Sequence, residues 1–134
     1  MSIKVENLKK HFGNFHAVDD VSFSVANGEF VTLLGPSGSG KSTMLRCIAG
    51  LELASSGQIF IDDEDVTRVP VQKRQVGFVF QHYALFKHMT VRDNVAFGLK
   101  VRSWEKSDYQ KRSDELLALV GLEGYGNRLP SQLS

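Results

Sequence analysis

The sequence predicts an α/β fold, in which a β-rich N-terminal part precedes a strand, a glycine-rich loop, a helix and then a helical region. Three observations predict this order. Apolar and polar residues alternate with period two within the first 25 residues, a continuous apolar run precedes the glycine-rich loop, and apolar residues recur at helical spacing after about His88. The 134 residues, 42% of them hydrophobic, suffice for one domain or for part of a larger one.

Five short strands are predicted. The runs that alternate as half-buried strands do are Ile3–Val5, Val21–Val25 and Ile59–Ile61. Phe30–Leu34 and Val76–Phe80 are instead continuously apolar, which is typical of strands buried on both faces of a parallel sheet. The acidic stretch Asp62–Asp65 between them is predicted to be a loop.

A first helix is predicted directly after the glycine-rich loop, over Lys41–Ala49. Met44, Leu45 and Ile48 are predicted to share its apolar face. Gly50 stands where such a helix would end, because glycine adopts the left-handed conformation that closes many helices.

Two further helices are predicted in the C-terminal third. Thr90–Asp93 has the form of a capping box, and apolar residues follow it at a spacing of four. A second helix is predicted over about Ser107–Val120, with Ser107 and Gln110 as its cap and Gly121 as its end.

Composition excludes several functional classes. Sixteen basic against fifteen acidic residues leave a formal charge of +1, which argues against a strongly basic nucleic-acid-binding protein. Cys47 is the single cysteine, so neither an intrachain disulfide nor a thiolate cluster for zinc is expected. No apolar run approaches the roughly 20 residues that span a bilayer, and the first residues lack the apolar core of a secretory signal. We therefore expect a cytosolic chain with no nucleic-acid partner, whose membrane spans, if it works at a membrane, belong to other subunits.

The glycine-rich loop fits the pattern G-x-x-x-x-G-K-[ST] at every specified position. Its residues, with the one that follows, are Gly35, Pro36, Ser37, Gly38, Ser39, Gly40, Lys41, Ser42 and Thr43. Gly38 and Gly40 permit backbone angles that a side chain would forbid, so that successive amides can point at an anion. The loop also lies between a predicted buried strand and an amphipathic helix, which is the context that the pattern requires.

The chemistry of this loop suits a nucleoside triphosphate. The positive end of the helix dipole adds to the field of the loop amides. Lys41 places a compact positive charge on the β and γ phosphates, and the Ser42 hydroxyl is a hard oxygen ligand suited to Mg²⁺. The loop predicts triphosphate binding, but it does not choose among kinases, GTPases, helicases and transport ATPases.

Four separate features of the sequence resemble the ATP-binding-cassette (ABC) ATPases. They are Lys10–Gly13, with the aromatic Phe12 before a glycine, the phosphate loop and helix Gly35–Glu52, the stretch Ser56–Ile59, and Val79–Gln81 at the end of a predicted strand. The resemblance covers essentially all 134 residues.

This resemblance implies a P-loop NTPase fold and a set of site residues. Phe12 matches the aromatic that stacks on adenine in the family. Gln81 matches the Q-loop glutamine, whose amide oxygen ligates Mg²⁺ and helps to position the attacking water. By resemblance, Lys41 and Gln81 are catalytic, residues 35–43 bind ATP together with Phe12, and Ser42 and Gln81 ligate Mg²⁺.

The resemblance also implies an organisation and partners. Residues 1–87 would form the N-terminal part of the ATPase core, with the Walker A loop and the Q-loop, and residues 88–134 the beginning of the helical subdomain. Expected ligands are ATP and Mg²⁺. Expected partners are integral-membrane permease subunits and a second copy of the ATPase subunit, with the chain peripheral at the cytoplasmic face of the inner or plasma membrane, or at the plastid equivalent.

Within the family, the run Gln81–Val91 is similar to that of importer ATPases, and in particular to that of sulfate/thiosulfate importers. His82 and the flank of Phe86 and His88 carry this likeness, whereas the Ala-Leu-aromatic core is shared with maltose, polyamine and iron importers. The alternatives are an ATPase of one of those importers, a soluble nucleotide-binding module of the repair or translation type, and a truncated fragment without transport activity. The apolar residues of the run, predicted to contact a permease or else to fill a seam between subdomains, are Tyr83, Leu85, Phe86 and Met89.

The family's LSGGQ signature is matched only in its first two residues, Leu133 and Ser134. The acidic strand, the catalytic glutamate and the switch histidine of the family have no counterpart among the 134 residues. The strand that neighbours the phosphate-loop strand in the family is likewise not among them, so an open sheet edge is expected there. We therefore expect these residues to bind MgATP without turning it over.

Overall fold

The computed structural model describes residues 1–82 and 84–133. Within them the chain forms two compact units, Met1–Val79 and the residues from Phe80 onward. The first unit is a sheet with one α-helix, and the second is helical, in the order that the sequence predicts. None of the helices in these ranges combines the length and the apolar character needed to cross a membrane.

A long β-hairpin begins the first unit. Strands β1 (Ile3–Phe12) and β2 (Phe15–Val25) pair antiparallel, with Phe12 opposite Phe15 at the turn. Gly13, in the left-handed conformation at φ 57°, and the residue after it connect the two strands. Two of the predicted alternating runs, Ile3–Val5 and Val21–Val25, are therefore the far ends of a hairpin that is considerably longer than predicted.

Two further strands complete the sheet. They are β3 (Ser56–Ile61) and the two-residue β4 (Glu64–Asp65), and the strand order is β2-β1-β3-β4 with antiparallel pairing throughout the described strands. Asp62 and Asp63, both with positive φ, form the turn between β3 and β4. The predicted acidic loop is thus confirmed for its first two residues and wrong for its last two, which pair with the end of β3.

Helix α1 (Lys41–Ala49) has the predicted bounds, and Gly50 at φ 78° ends it in the left-handed conformation. The side chains that it adds to the core cluster of the sheet are Met44, Cys47 and Ile48. The prediction that Leu45 shares the apolar face of Met44 and Ile48 is wrong, because the buried stripe runs through Cys47 and leaves Leu45 46% exposed.

Two predicted strands are not part of the described sheet. Phe30–Leu34 and Val76–Phe80 form no strand, although Leu33 and Val76 pack against the core cluster. Phe30 and Leu34 are 91% and 90% exposed. A continuous apolar run predicts a strand that is buried on both faces of a sheet. It does not identify the neighbouring strand with which it would form hydrogen bonds. The prediction of two parallel strands is therefore wrong. Where an open sheet edge was expected, Phe30–Leu34 is an exposed apolar segment without strand structure.

The second unit is built on two helices, α2 (Val91–Val101) and α3 (Lys106–Leu119), which pack against each other. Thr90 caps α2: its Oγ1 accepts a hydrogen bond from the backbone N–H of Asp93 at 3.1 Å. This confirms Thr90 as the N-cap of the predicted box, while the Asp93 carboxylate accepts a hydrogen bond from Oγ1 of Thr90 at 2.8 Å.

Helix α3 differs from the prediction at its start. It begins at Lys106, one residue earlier than predicted, with Glu105 at the N-cap position and no side-chain cap in this described segment. The predicted cap by Ser107 and Gln110 is wrong, because both residues already lie within the helix. Gly121, at φ 74°, follows the last turn as predicted.

Candidate functional site

The glycine-rich loop is a turn whose glycines adopt angles that other residues rarely reach. Gly35, Gly38 and Gly40 have φ values of 154°, 81° and 86°. Within the turn, the N–H of Ser39 donates to the carbonyl oxygen of Pro36 at 3.3 Å. Side chains at these φ values would be strained, which confirms the conformational reason for the glycines given by the sequence.

The side chain of Lys41 folds back over this loop. Its Nζ donates hydrogen bonds to the carbonyl oxygens of Gly35 at 2.8 Å and Pro36 at 2.7 Å, and to Oγ of Ser39 at 3.0 Å. All three acceptors are neutral, so they hold the ammonium in place without cancelling its charge. The loop therefore carries a fixed positive charge.

The loop runs directly into the N-terminus of α1. Gly40 is the N-cap residue, and within the described residues no side chain caps the first turn and no acidic residue lies in it. The first-turn amides and the helix dipole therefore add positive partial charge at the loop, beside the exposed Ser42. A Cβ at Gly40 would overlap the carbonyl oxygen of Ala17 on β2, so the loop rests closely on the hairpin.

A cavity of about 630 Å³ lies between the loop and the hairpin. Its lining residues comprise Phe15, His16, Ala17, Val18, Asp19 and Val21 of β2, residues 32–36 and 38–41, and Met44 of α1. Sequence reasoning missed Phe15 and His16. The signal that could have found them is their position just beyond the Phe12-Gly13 turn, on the strand that leads back to the loop.

Phe12 lies at the end of β1 and is 48% exposed. It does not line the cavity itself, but its partner across the hairpin, Phe15, does. The Nζ atom of Lys10 lies over the Phe12 ring, 4.7 Å from its centroid. The structure thus places the predicted aromatic residue next to the cavity, with a cation against its ring.

Gln81 is exposed and belongs to the second unit, whereas the phosphate loop belongs to the first. Tyr83 and Ser134, which the sequence predictions also name, lie outside the described residues. The contact predicted for Tyr83 and the signature match at Ser134 therefore have no structural counterpart to compare.

The other residues of the predicted permease contact lie just before α2. Leu85 is 50% exposed and Phe86 is 38% exposed. The ring of Phe86 packs against Phe97 of α2 with a centroid separation of 4.5 Å. Asn94 accepts a hydrogen bond from the N–H of Phe86 at 2.8 Å, so this apolar segment is fixed to the helix behind it.

A second cavity of about 660 Å³ lies elsewhere in the first unit, lined by residues 53–58 and 67–70 with Asp65 and Lys73. The two cavities are similar in size, so size does not identify the site. Only the first borders the glycine-rich loop and the start of α1. Over residues 1–82 and 84–133 there is no group of three or more His, Cys, Asp or Glu side chains that could hold a metal ion.

The ABC transporter family matches residues 18–134, a span that contains the phosphate loop and both helices of the second unit. The chain belongs to the ABC transporter family. Membership confirms the family resemblance that the sequence motifs carry.

Curated relatives in this family carry the name sulfate/thiosulfate import ATP-binding protein CysA. The one from Nocardia farcinica is 61% identical over 132 residues, which are 98% of this chain and 40% of the relative. The one from Synechocystis sp. is 57% identical over 134 residues, covering all of this chain and 38% of the relative. The chain thus spans about 40% of the length of these curated relatives.

Solved structures of family cassettes share the fold. A dimeric structure of the ATP-binding cassette MJ0796, in a post-hydrolysis state bound to ADP and Pi, superimposes with a TM-score of 0.87 at 33% identity. The superposition covers 98% of this chain and 63% of the MJ0796 chain. A second dimeric structure of MJ0796, described as a bacterial ABC transporter cassette, gives the same TM-score of 0.87. This likeness confirms the predicted α/β fold class.

Proposed function

We propose that this chain is the ATP-binding part of an importer ATPase subunit, in which ATP binding and hydrolysis drive uptake of sulfate or thiosulfate. The phosphate loop carries the proposal. Its glycines, the fixed charge of Lys41 and the N-terminus of α1 converge on one cavity, next to the close contact of Gly40 with Ala17. Polyphosphate is the ligand whose charge and shape match such a site.

In this proposal the triphosphate lies along the loop, with the amides of residues 38–43 donating to phosphate oxygens. Lys41 exchanges its neutral acceptors for the β and γ phosphates, a stronger interaction because it is charge-assisted. The exposed hydroxyl of Ser42 and the exposed amide of Gln81 are oxygen donors of the kind that Mg²⁺ prefers. The metal would neutralise charge on the phosphate oxygens when bound.

The base of the nucleotide is assigned to the end of the hairpin. Phe12 offers a half-exposed ring there, and Phe15 opposite it lines the cavity. Stacking on an aromatic face is the interaction that suits a purine, because both partners are flat and polarisable. The domain division at residue 87, with the Walker A loop and Q-loop before it, remains part of this proposal.

The proposal assigns residues to some of the requirements of ATP hydrolysis, but it assigns none as the general base. Phosphoryl transfer to water requires the triphosphate to be held, the metal to be coordinated and the water to be oriented or deprotonated. Lys41, Ser42 and Gln81 serve the first two requirements, and Gln81 helps with the water. Residues 1–134 alone are therefore expected to bind MgATP without turnover, since loss of a general base costs about 10²–10⁴-fold in rate.

The proposed transport role rests on the names of the curated relatives. Import of sulfate or thiosulfate is what the names of the Nocardia farcinica and Synechocystis proteins state for those proteins. The apolar segment before α2 would contact permease subunits at the cytoplasmic face of the membrane. A second copy of the subunit would complete the assembly, as in the dimeric cassettes of the same fold.

A chimera tests the transport assignment. The 132 matched residues of the Nocardia farcinica relative are replaced by those of this chain, and the chimera is produced in that bacterium after deletion of its own gene. We expect growth on sulfate or thiosulfate as sole sulfur source, and no growth when the chimera carries Lys41→Ala. Growth on cysteine controls for general fitness.

Two results contradict the proposal. A chimera produced at the normal level that does not support growth on either sulfur source favours an importer of another substrate. Growth supported by the Lys41→Ala chimera shows that nucleotide binding at the loop is not needed.

A further inference from the structure

A cation is fixed on the ring of Phe12. Lys10 Nζ lies 4.7 Å from the ring centroid, and it also donates to Oε1 of Glu52 at 2.7 Å and to the carbonyl oxygen of Leu53 at 2.8 Å. The side chain of Lys10 is only 12% exposed. Because two acceptors and the ring surround the ammonium, it has one position rather than the many of a surface lysine.

This cation is connected to helix α1. The N–H of Glu52 donates to the carbonyl oxygen of Arg46 in the last turn of the helix, at 3.2 Å. The same helix begins at the phosphate loop, so Glu52 lies on the chain that leaves the helix opposite the phosphate end. The path from the loop to the Phe12 ring therefore runs through α1, Glu52 and Lys10.

Backbone contacts hold the neighbouring part of β1 to the same segment. The N–H of Ser55 donates to the carbonyl oxygen of Lys9 at 2.8 Å, and the N–H of His11 donates to Oγ of Ser55 at 3.0 Å. These bonds fix the backbone of β1, but they do not reach the Phe12 side chain. The only one of these contacts that reaches the Phe12 ring is the one from Lys10.

We infer that Lys10, held by Glu52, is a positioning residue that fixes the Phe12 ring for stacking against the nucleotide base. The inference rests on the proposed role of Phe12. A cation is attracted to the face of an aromatic ring by the ring quadrupole. With the ammonium on one face, the ring is held still and its other face serves the base. Lys10 acts through Phe12 and does not contact the nucleotide.

The chain offers a matched control on the same strand. Lys4 Nζ lies 5.7 Å from the centroid of the Phe60 ring and 2.6 Å from Oε1 of Glu6. This group also consists of a lysine, a carboxylate and an aromatic ring, but none of its three residues lines the phosphate-loop cavity. A general effect of removing a lysine from β1 would appear equally with Lys4→Met and Lys10→Met.

The test compares two ligands in the full chain by calorimetric titration: MgATP, and magnesium tripolyphosphate, which has no base. The variants are Lys10→Met, Lys10→Arg, Lys4→Met, Phe12→Leu and the double variant of Lys10→Met with Phe12→Leu. We expect Lys10→Met to weaken MgATP binding by about two- to tenfold, from the size of such cation–ring interactions, and to leave tripolyphosphate binding within about twofold. Lys10→Arg should restore most of the loss, and Lys4→Met should change neither ligand.

The double variant separates the explanations. If Lys10 acts through Phe12, Lys10→Met adds no further loss of MgATP affinity in the Phe12→Leu background. An equal loss for both ligands, or a further loss in that background, overturns the inference. A normal MgATP affinity in Lys10→Met overturns it alone when Phe12→Leu binds weakly. Normal MgATP affinity in Phe12→Leu overturns both the inference and the proposed role of Phe12.

Discussion

Arg74 donates a hydrogen bond from Nη1 to the carbonyl oxygen of Cys47 at 2.8 Å, at the C-terminal end of α1. The same nitrogen reaches the carbonyl oxygen of Ile48, Nε reaches that of Val69, and Nη2 reaches that of Thr67. The Arg74 side chain is buried, and burial lowers its pKa from the usual value for arginine. A buried cation therefore joins the helix that starts at the phosphate loop to the segment that follows β4.

Replacing Arg74 should destabilise the first unit. Arg74→Met removes a donor from four carbonyl oxygens, of which that of Cys47 keeps a hydrogen bond from the N–H of Gly50 at 3.1 Å. An unsatisfied buried acceptor, here the carbonyl oxygen of Ile48, costs about 1–3 kcal/mol in the free energy of unfolding. Arg46→Met in α1 is the control, because Arg46 is exposed and a charge at a helix end contributes less than about 1 kcal/mol. Urea unfolding measures both, and equal losses would show that the buried contacts of Arg74 contribute nothing of their own.

Gly40→Ala should abolish MgATP binding and lower stability. The added Cβ overlaps the carbonyl oxygen of Ala17, and φ of 86° is strained for alanine, a cost of about 1–3 kcal/mol. Gly98→Ala is the control, since nothing lies within 4 Å of its Cβ inside α2 and the change should stabilise by about 0.5–1 kcal/mol. Calorimetric titration and thermal unfolding give both quantities. Normal binding by a stable Gly40→Ala variant would contradict the need for glycine there.

The Thr90 and Asp93 contacts at the start of α2 should make the second unit sensitive to acid. Hydrogen bonds from Lys100 Nζ at 2.5 Å and from Thr90 Oγ1 at 2.8 Å hold the pKa of Asp93 below its usual value. A depressed carboxyl pKa contributes stability that is present above the unfolded pKa, about 3.9, and is lost as pH falls through the folded pKa. We expect Asp93→Asn to be less stable than the wild type at neutral pH, and the difference to vanish in acid.

Urea unfolding followed by helical circular dichroism between pH 7 and pH 2 measures this difference. Asp108→Asn is the control, because Asp108 lies in the first turn of α3 without an ion pair among the described residues. The same pH profile in Asp93→Asn as in the wild type would exclude Asp93 as the titrating group.

The segment before α2 should contact a permease. Leu85→Cys is expected to crosslink to co-expressed permease subunits, because Leu85 is half exposed on a segment that Phe97 and Asn94 hold in place. Leu119→Cys, 80% exposed on α3, is the control. The native Cys47 does not compete, since it is fully buried and burial raises the pKa of its thiol. The crosslinking is measured in the full-length subunit. Equal crosslinking from both positions, or none from position 85 while the ATPase activity of that subunit is intact, would favour the seam between subdomains.

Features that depend on a few neighbouring residues could be predicted from the sequence. The bounds of α1, the left-handed Gly50 and the Thr90 N-cap depend on hydrogen bonds between residues close together in the sequence. The positive φ angles of Gly38 and Gly40 could likewise be predicted from the motif, whereas the close approach of Gly40 to Ala17 on β2 could not.

Features that depend on distant residues could not be predicted. The apolar run Phe30–Leu34 gives no information about which strand would pair with it, and Leu45 is exposed because of where the sheet lies. Phe15 reaches the cavity only because the hairpin is longer than its alternating ends suggest. No motif in the sequence singles out Arg74, because only the fold brings the four carbonyl oxygens around it.

The central claim is that the loop from Gly35 to Ser42 binds the triphosphate of ATP. Calorimetric titration of MgATP into the wild type, Lys41→Ala and Phe12→Ala tests it most directly, with circular dichroism to confirm that each variant is folded. We predict saturable binding by the wild type and a larger loss for Lys41→Ala, since a charge-assisted bond contributes about 1.5–3 kcal/mol against about 0.5–1.5 kcal/mol for aromatic stacking. A wild type that does not bind, or a folded Lys41→Ala variant that binds as well as Phe12→Ala or better, would contradict the claim.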